Sequence, residues 1–314
     1  MVVGYALGNK RDSEEDIPVI GETDPDVLTY SKSLTIILSR TCRNDCPYCA
    51  FHRKDNLTVP YSTIKVSKSA RSAGAREVLF AAGERPDKIP HIRAMLDLWG
   101  FKSYLEYMYT VAELSFLEGL IPVLEVGFLT PVELQRMSEM CAAVKIMLDS
   151  VDDSQAETVY ANSPGKRLES RLRSLEWAGR LRFPAITGVM VGIGESNSHR
   201  KHVLQEIAKL HNQYKHVHEV LIQNFVPQKG TPWSTKKPPS KADMLNAVEQ
   251  AMSILPADIK VTFPLELNPN IEDFIKVGIR DLGRITAGNP LLFPDQPPLT
   301  EVRLAEIAEK MGFR

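Results

Sequence analysis

Short apolar runs rich in β-branched residues alternate with longer amphipathic stretches along most of the chain. The short runs have the length and composition of buried strands, and they cover residues 34–39, 77–82, 121–127, 144–150, 187–193, 219–225, 259–266 and 280–285. The longer stretches repeat apolar residues at helical spacing, and they cover residues 62–73, 91–118, 131–142, 167–180, 199–214, 241–254 and 299–311. This alternation predicts strands that are connected by helices.

Three of the predicted helices carry start signals. Thr130 and Pro131 have the residue types preferred at the N-cap and at the first helical position. Ser240 and Thr300 stand where a hydroxyl can cap the two later helices. These signals support the helix assignments independently of the apolar pattern.

Strands alternating with helices predict a parallel sheet that is covered by helices. Because the strands read as continuous apolar runs, we expect them to be buried on both faces. The expected fold is an α/β protein, a (β/α)8 TIM-type barrel, and an open doubly wound sheet is the alternative. No Pro/Gly-rich linker divides the chain, so residues 1–314 are predicted to form one domain, with a lead-in over 1–33, the barrel over 34–298 and a C-terminal helix over 299–314.

Composition and charge narrow the class of protein. The 314 residues are 43% hydrophobic and 25% charged, and the formal net charge of −1 gives no global field that would attract nucleic acid or an anionic membrane. No apolar run reaches the roughly 18 residues of a membrane-spanning helix, and residues 1–16 lack the apolar core of a signal peptide. We therefore expect a cytoplasmic protein without a membrane or nucleic-acid partner.

Three of the four cysteines lie within eight residues, in a loop after the first predicted strand. Cys42, Cys46 and Cys49 are separated by three and then two residues, which is ligand spacing and not a disulfide framework in a chain of this length. Such a loop can wrap three thiolates around a cubane cluster and leave one iron open to a small molecule. Thiols of this kind also indicate a reducing compartment.

A zinc site is the alternative for these cysteines. His52 follows Cys49 by three residues and offers a fourth ligand. Zinc modules are usually small and fold independently, whereas this loop follows the first strand of a barrel-length pattern, where active-site loops lie. The iron–sulfur site is therefore preferred. Cys141 stands apart on a predicted helix beside Met137 and Met140, and we interpret it as a core residue.

The cysteine spacing, with aromatic Tyr48 directly before the third cysteine, resembles the signature of the radical S-adenosylmethionine (SAM) superfamily. The resemblance implies that Cys42, Cys46 and Cys49 hold a [4Fe-4S] cluster and that SAM binds beside it, with Tyr48 against the adenine. It also implies that one electron from the cluster cleaves SAM to a 5′-deoxyadenosyl radical, which abstracts hydrogen from a substrate held in the barrel. The cluster and SAM are thus the expected cofactors.

Further residues agree with a SAM site. After the second strand, Gly83 permits close backbone approach and Glu84 supplies a carboxylate, where the superfamily binds the amino group of SAM. Gly192 and Glu195 end the fifth strand in a glycine motif that resembles the superfamily's support for adenine. Arg171, on the helix after the fourth strand, is predicted to pair with the SAM carboxylate in a bidentate contact.

Longer runs narrow the resemblance. They are SPGK at 163–166, RL at 171–172, AGR at 178–180, TG at 187–188, GIGE at 192–195, EVLIQNF at 219–225, DLG at 281–283 and NP at 289–290. Together they resemble the cyclising subunit of 7,8-didemethyl-8-hydroxy-5-deazariboflavin synthase, over about residues 34–293. The resemblance implies a lyase of coenzyme F420 biosynthesis that cyclises a tyrosine-derived hydroxybenzyl–ribityluracil adduct to the deazaflavin and releases ammonia. It implies as partners this small-molecule substrate, an electron donor such as ferredoxin or flavodoxin, and the enzyme that ligates tyrosine.

Several positions depart from that family. Glu125 ends a Val-Leu-Glu run where the family has His-Thr-Asn, and Asp149 ends Met-Leu-Asp where the family has Met-Leu-Glu. Residues 184–187 replace a Pro-Phe-Thr-Thr run, and Arg280 and Arg284 replace an Asn and a Gly. We hypothesise that Glu125 pairs with a cationic substrate group, with a ribose hydroxyl, or with Arg280 or Arg284. The three departures indicate either a pocket remade for a different ligand or a salt bridge without a substrate role.

The predicted substrate contacts are polar residues on four of the strands, namely Glu125, Asp149, Gln223, Asn224 and Asp281. A divergent enzyme of the same superfamily that acts on another substrate, such as an aromatic amino acid lyase, stays open as an alternative. A sulfur-inserting synthase is disfavoured because the sequence has no second cysteine cluster.

Overall fold

The computed structural model describes residues 26–51, 54–287 and 299–314. Within these ranges eight strands are present: β1 (Thr29–Ser39), β2 (Glu77–Ala82), β3 (Ile121–Glu125), β4 (Ala143–Met147), β5 (Ala185–Val191), β6 (Val217–Asn224), β7 (Lys260–Thr262) and β8 (Asp281–Thr286). Each predicted strand is confirmed, and β2 has the predicted bounds. β1 begins at Thr29, so the barrel starts inside the segment that was expected to be a lead-in.

The strands form one parallel sheet that curls into a nearly closed barrel. The hydrogen-bonded order is β7-β6-β5-β4-β3-β2-β1-β8, so β7 and β8 are the two edges. These edges face each other, because a Cβ atom built on Gly283 of β8 would lie 3.3 Å from the Cβ of Thr262 on β7. The barrel prediction is confirmed, and the open doubly wound sheet is wrong.

Ten helices surround the strands in the described ranges: α1 (Pro60–Ser72), α2 (Pro90–Leu98), α3 (Tyr104–Leu117), α4 (Pro131–Ser138), α5 (Asp153–Val159), α6 (Leu168–Arg180), α7 (Asn197–Tyr214), α8 (Lys241–Ile254), α9 (Ile271–Lys276) and α10 (Glu301–Met311). The predicted caps are confirmed, since the hydroxyls of Thr130, Ser240 and Thr300 each accept a backbone N–H of the first turn. Among these described helices, none is long and apolar enough to cross a membrane.

Two differences from the predicted elements have local causes. The single helix expected over residues 91–118 is broken into α2 and α3 at Gly100, whose φ of 80° is incompatible with a continuing helix. The strand expected over 259–266 stops at Thr262, because Pro264 and the turn that follows it leave the ladder. The short helices α5 and α9 were not predicted.

The interior of the barrel holds charged side chains. Arg284 of β8 donates to Glu77 of β2 and to Glu219 of β6, at 2.6 Å from its Nη1 to the Glu219 Oε2. Burial raises the pKa of Glu219, but the Arg284 charge and its hydrogen bonds outweigh this and leave the pKa lowered. Arg280 instead donates to the carbonyls of Ile275 and Ile279 before β8. The alternative that Glu125 pairs with Arg280 or Arg284 is therefore wrong.

Candidate active site

A cavity of about 280 Å³ opens at the carboxyl ends of the strands, the end at which barrel enzymes carry their active sites. Its lining includes most of the predicted site residues, which come from the cysteine loop, the strand ends and the start of α6. They are Cys42, Cys46, Tyr48, Cys49, Gly83, Glu84, Glu125, Asp149, Arg171, Gln223 and Asn224. The fold therefore brings together residues that are spread over most of the sequence.

Two of the three cysteine sulfurs accept hydrogen bonds from the surrounding backbone, and the third lies within hydrogen-bonding distance of a hydroxyl. Cys42 Sγ accepts from the backbone N–H of Asn44 at 3.4 Å and of Glu84 at 3.1 Å. Cys49 Sγ accepts from the N–H of Phe51 at 3.4 Å. Cys46 Sγ lies 3.4 Å from the hydroxyl of Ser163. Donors of this kind stabilise metal-bound thiolates, and they tune iron–sulfur clusters.

The donor set fits a cluster better than a single metal ion. Burial raises the pKa of Cys42 and, to about 11, that of Cys49, so these thiols need a bound cation to ionise at neutral pH. In the described residues no three Cys, His, Asp or Glu side chains are close enough to hold one ion. A cubane cluster does not require the three sulfurs to converge on one point, because each thiolate binds a different iron. His52, the fourth ligand in the zinc alternative, lies outside the described residues, so that alternative gains no support here.

Gly83 lets the end of β2 contact the cysteine loop. A Cβ atom at this position would lie 2.2 Å from the carbonyl oxygen of Thr41 and 2.7 Å from the Cβ of Cys42. The Gly83 N–H also donates to the Ser39 carbonyl at 2.9 Å. Any side chain here would push Cys42 out of place, so glycine is needed for close backbone approach.

Glu84 is buried between two arginines. Its Oε1 lies 2.8 Å from Arg43 Nη2, and its Oε2 lies 2.7 Å from Arg171 Nη2. Burial raises the pKa of Glu84, but the attraction of Arg171 and Arg43 outweighs this, so the pKa is lowered. Gly165 completes the enclosure, since a Cβ there would lie 1.7 Å from Glu84 Oε1. Both carboxylate oxygens are thus engaged by the protein, and Glu84 does not present the open acceptor that was expected for an ammonium group.

Two polar atoms beside this cluster of charges are buried and unused. Arg171 lines the cavity, and its Nε has no hydrogen-bond partner among the described residues. Asp149 receives Lys166 Nζ on Oδ2 at 2.9 Å, whereas its Oδ1 is buried without a described partner. Burial lowers the pKa of Lys166, but Asp149 outweighs this and leaves it raised. Because unpaired buried polar atoms are costly, a donor and an acceptor for a ligand are the natural explanation.

Aromatic side chains wall the cavity next to the cysteines. The Tyr48 ring is buried, and its hydroxyl lies 3.4 Å from that of Tyr160, which donates to the Asp149 carbonyl at 2.8 Å. Trp233 lies in the loop after β6, and the centroid of its ring is 5.8 Å from that of Tyr48. The backbone N–H of Trp233 donates to the Pro47 carbonyl at 3.1 Å. The loop after β6 is thereby fastened to the cysteine loop.

Three predicted residues lie outside the cavity lining. Gly192 and Glu195 belong to a neighbouring groove, where Glu195 accepts the Gly192 N–H at 3.1 Å and pairs with Arg200 at 2.9 Å. Asp281 begins β8 at the opposite end of the barrel, where it accepts the hydroxyl of Thr29 at 2.9 Å. In a parallel barrel the strands all begin at one end and finish at the other, where the cavity lies. The position of Asp281 therefore does not support a substrate contact.

The sequence analysis missed several cavity residues. Lys166 was recognised within the SPGK run but given no role, and Lys145 and Trp233 were not singled out. Lys145 sits inside an otherwise apolar run at 144–148, and a charge in such a run is the signal that could have identified it. Trp233 lies in a Lys- and Pro-rich segment that reads as an ordinary loop.

Comparisons with known proteins show the family to which the chain is similar. The family model of the radical SAM superfamily matches residues 36–207. The chain is 36% identical to a 7,8-didemethyl-8-hydroxy-5-deazariboflavin synthase of Archaeoglobus fulgidus over 91% of this chain and 88% of that protein. It is 34% identical to a synthase of the same name from Methanothermobacter thermautotrophicus over 91% and 89% of the two chains.

Solved structures share the fold. The FeFe-hydrogenase maturase HydG from Carboxydothermus hydrogenoformans superimposes with a TM-score of 0.70, at 16% identity over 91% of this chain and 67% of that one. Methylornithine synthase (PylB) gives a TM-score of 0.69, at 14% identity over 92% and 83%. At these identities the likeness shows the barrel fold alone.

Proposed function

Because the chain belongs to the radical SAM superfamily and, within it, to the 7,8-didemethyl-8-hydroxy-5-deazariboflavin synthase family, we propose that it cyclises a tyrosine-derived hydroxybenzyl–ribityluracil adduct to the deazaflavin and releases ammonia. The chain is thus a radical SAM enzyme. The observation that carries the proposal is the single cavity that joins three cysteine thiols to an arginine and a carboxylate with unused hydrogen-bonding atoms.

Cys42, Cys46 and Cys49 are the residues that would hold the [4Fe-4S] cluster. Backbone N–H groups point at two of their sulfurs, and the Ser163 hydroxyl lies beside the third, at Cys46. The backbone donors to Cys42 and Cys49 would spread the negative charge of these two thiolates. When bound, the cluster supplies the electron that cleaves a sulfur–carbon bond of SAM.

Arg171 and Asp149 are the residues that would hold the polar end of SAM. The free Arg171 Nε can donate to a carboxylate, and the free Asp149 Oδ1 can accept from an amino or hydroxyl group. Glu84 then acts as a positioning residue, because its salt bridge at 2.7 Å orients the Arg171 guanidinium. This role differs from a direct contact between Glu84 and the ligand.

The charges near the cysteines favour an anionic ligand. Arg43 and Arg171 share one carboxylate, that of Glu84, so one positive charge is in excess there. Lys166 and Asp149 balance each other. Thiolates and a ligand carboxylate add negative charge at this end of the cavity, and the excess positive charge offsets it.

The walls of the cavity would protect a radical. Tyr48 is buried, and Trp233 covers it from the side of the loop after β6. Closing a reactive site to water prevents side reactions. Gln223 and Glu125 line the remaining part of the cavity and are proposed to face the substrate. The Asn224 amide is bonded to the Asn268 amide at 3.1 Å, so it is proposed to shape the wall.

The reaction also needs a source of electrons and a source of the adduct. We propose an electron donor such as ferredoxin or flavodoxin, since the reaction begins with an electron delivered to the cluster. The tyrosine-ligating enzyme is proposed as the source of the adduct. Both proposals rest on the family to which the chain belongs.

The test is anaerobic turnover of the reconstituted enzyme. The protein is loaded with iron and sulfide, mixed with SAM, a strong reductant and the adduct, and the products are identified by mass spectrometry. The proposal expects 5′-deoxyadenosine, methionine, ammonia and the fluorescent deazaflavin. If 5′-deoxyadenosine forms without deazaflavin, the enzyme is a divergent member that acts on another substrate, an outcome that the Glu125 departure would favour. A colourless protein that binds zinc and does not cleave SAM would refute both.

A further inference from the structure

The cavity has a polar floor formed by Glu125 and Lys145. Glu125 ends β3 and Lys145 lies in the middle of β4, and the register that pairs Leu124 with Val144 places them at one level. Lys145 Nζ donates to Glu125 Oε2 at 3.0 Å, and both side chains line the cavity. Asp149 follows Lys145 by four residues and lies beyond the carboxyl end of β4, so the Glu125–Lys145 pair lies deeper in the barrel than Asp149 does.

This pair retains hydrogen-bonding capacity that faces the cavity. Within the described residues Glu125 Oε1 accepts no hydrogen bond, and Lys145 uses one of its three N–H donors. The side chains are 28% and 13% exposed, and the space they face is the cavity. The Glu84 carboxylate, in contrast, is 1% exposed and has both oxygens occupied. The floor is therefore open to a ligand, whereas the Glu84 site is closed by protein contacts.

The wall around the floor is apolar along β2, β4 and β5, and Gln223 of β6 adds one polar side chain to it. Ala81 stands beside Glu125 in the ladder between β2 and β3. Met147 and Met190 complete the wall on β4 and β5, and all of these residues line the cavity. Methionine side chains adapt to flat rings and contact them favourably. A ligand that reaches the floor must therefore have an apolar or flat body and a polar edge.

The charge of the floor decides the kind of polar edge. Glu125 and Lys145 neutralise each other, so an anionic or cationic group would leave one member of the pair opposed by a like charge. A neutral edge that carries a hydrogen-bond donor beside an acceptor satisfies both residues and leaves their ion pair intact. An N–H next to a carbonyl, as in a cyclic imide, has this arrangement.

We propose that Glu125 and Lys145 bind the imide edge of the substrate ring, with Glu125 accepting from the ring N–H and Lys145 donating to the adjacent carbonyl oxygen. The inference rests on the proposed function, whose adduct contains a uracil ring with such an edge. It assigns Glu125 and Lys145 as specificity-determining residues. It also gives the departure at Glu125 a role other than an internal salt bridge.

The first test changes the ligand. The cluster-loaded, SAM-bound wild-type enzyme is titrated by calorimetry with ribityl-aminouracil and with the same compound methylated on the ring nitrogen between the two carbonyls. Loss of a charge-assisted hydrogen bond and the added methyl group should weaken binding by roughly 10- to 100-fold. Equal affinity for the two compounds overturns the proposal, whatever the variants show.

The second test changes the protein. Glu125→Met should weaken binding of the parent compound to a similar degree and remove the preference over the methylated one. The double variant Glu125→Lys with Lys145→Glu restores an ion pair but exchanges donor and acceptor, so it should also bind the parent compound weakly. If the exchanged pair binds it as tightly as the wild type does, the residues form only a structural salt bridge and the proposal fails.

The matched control breaks a barrel ion pair outside the cavity lining. Glu77→Met removes one partner of Arg284 and should leave both uracil affinities at wild-type values. A weakened uracil affinity in this control would mean that general loss of barrel stability explains the result, which overturns the proposal. Turnover of the full adduct separates the two levels of inference. If the wild type forms no deazaflavin, the proposed function fails. If it forms deazaflavin but binds the methylated and the parent ribityl-aminouracil with equal affinity, only the imide assignment fails.

Discussion

Replacing Arg171 by lysine separates its two roles. Lysine keeps one positive charge near Glu84, from which Arg171 Nη2 now lies 2.7 Å away, but it has no second donor at the position of the unpaired Nε. The variant should therefore stay folded and keep its iron. Its affinity for SAM should fall, because a hydrogen bond to a charged group contributes about 1.5–3 kcal/mol, equivalent to roughly 10- to 150-fold.

Replacing Arg171 by methionine removes both roles. Glu84 is 2% exposed and would keep Arg43 as its ion-pair partner. Breaking a buried ion pair typically costs about 3–5 kcal/mol, and the remaining Arg43 contact should place this variant near the lower bound. The assay is a urea unfolding curve for stability and equilibrium titration with SAM under anaerobic conditions for affinity.

The control is Arg173→Lys, an exposed position on the same helix, which should change neither measurement. The reasoning is refuted if Arg171→Lys binds SAM as tightly as the wild type does. It is also refuted if Arg171→Met unfolds at the wild-type urea concentration, because Glu84 would then not depend on Arg171.

Three further predictions concern the cluster site and its surroundings. Each of the cluster cysteines changed to alanine should abolish iron binding and SAM cleavage, whereas Cys141→Ala and His52→Ala should keep wild-type iron content; loss of iron in the His52 variant would contradict the three-ligand site. Gly83→Ala should lose iron, because its Cβ would clash with the cysteine loop. The control Gly100→Ala has a positive φ but open space around the new Cβ, so it should lose only about 1 kcal/mol of stability. Equal iron content in the two variants would contradict the packing argument. The pKa of Glu84 is lowered on folding, so its stabilising contribution is present above the ordinary glutamate pKa of 4.5 and is lost as pH falls; unfolding curves should show a steeper acid loss for the wild type than for the Arg171→Met variant, and parallel losses would contradict it.

The local pattern of the sequence was sufficient to predict the barrel and to single out the three cysteines that are proposed as cluster ligands. Strand and helix assignments depend on the period of apolar residues and on caps such as Thr130, which are properties of neighbouring residues. The cysteine triplet is likewise local, since Cys42, Cys46 and Cys49 lie in one loop. Such features are encoded within a few residues and need no knowledge of which strands meet.

Only the tertiary structure decided which charges pair. Glu84 binds Arg171 at a sequence separation of 87 residues, and this pairing is the reason that Glu84 is proposed as a positioning residue and not as a ligand contact. The register between β3 and β4 pairs Glu125 with Lys145 and not with Arg280 or Arg284. Asp281 has a suitable side chain but stands at the start of its strand, at the end of the barrel away from the cavity. Side-chain pairing across a barrel depends on strand register and on which end of each strand a residue occupies, and a one-dimensional pattern of residue types does not contain either.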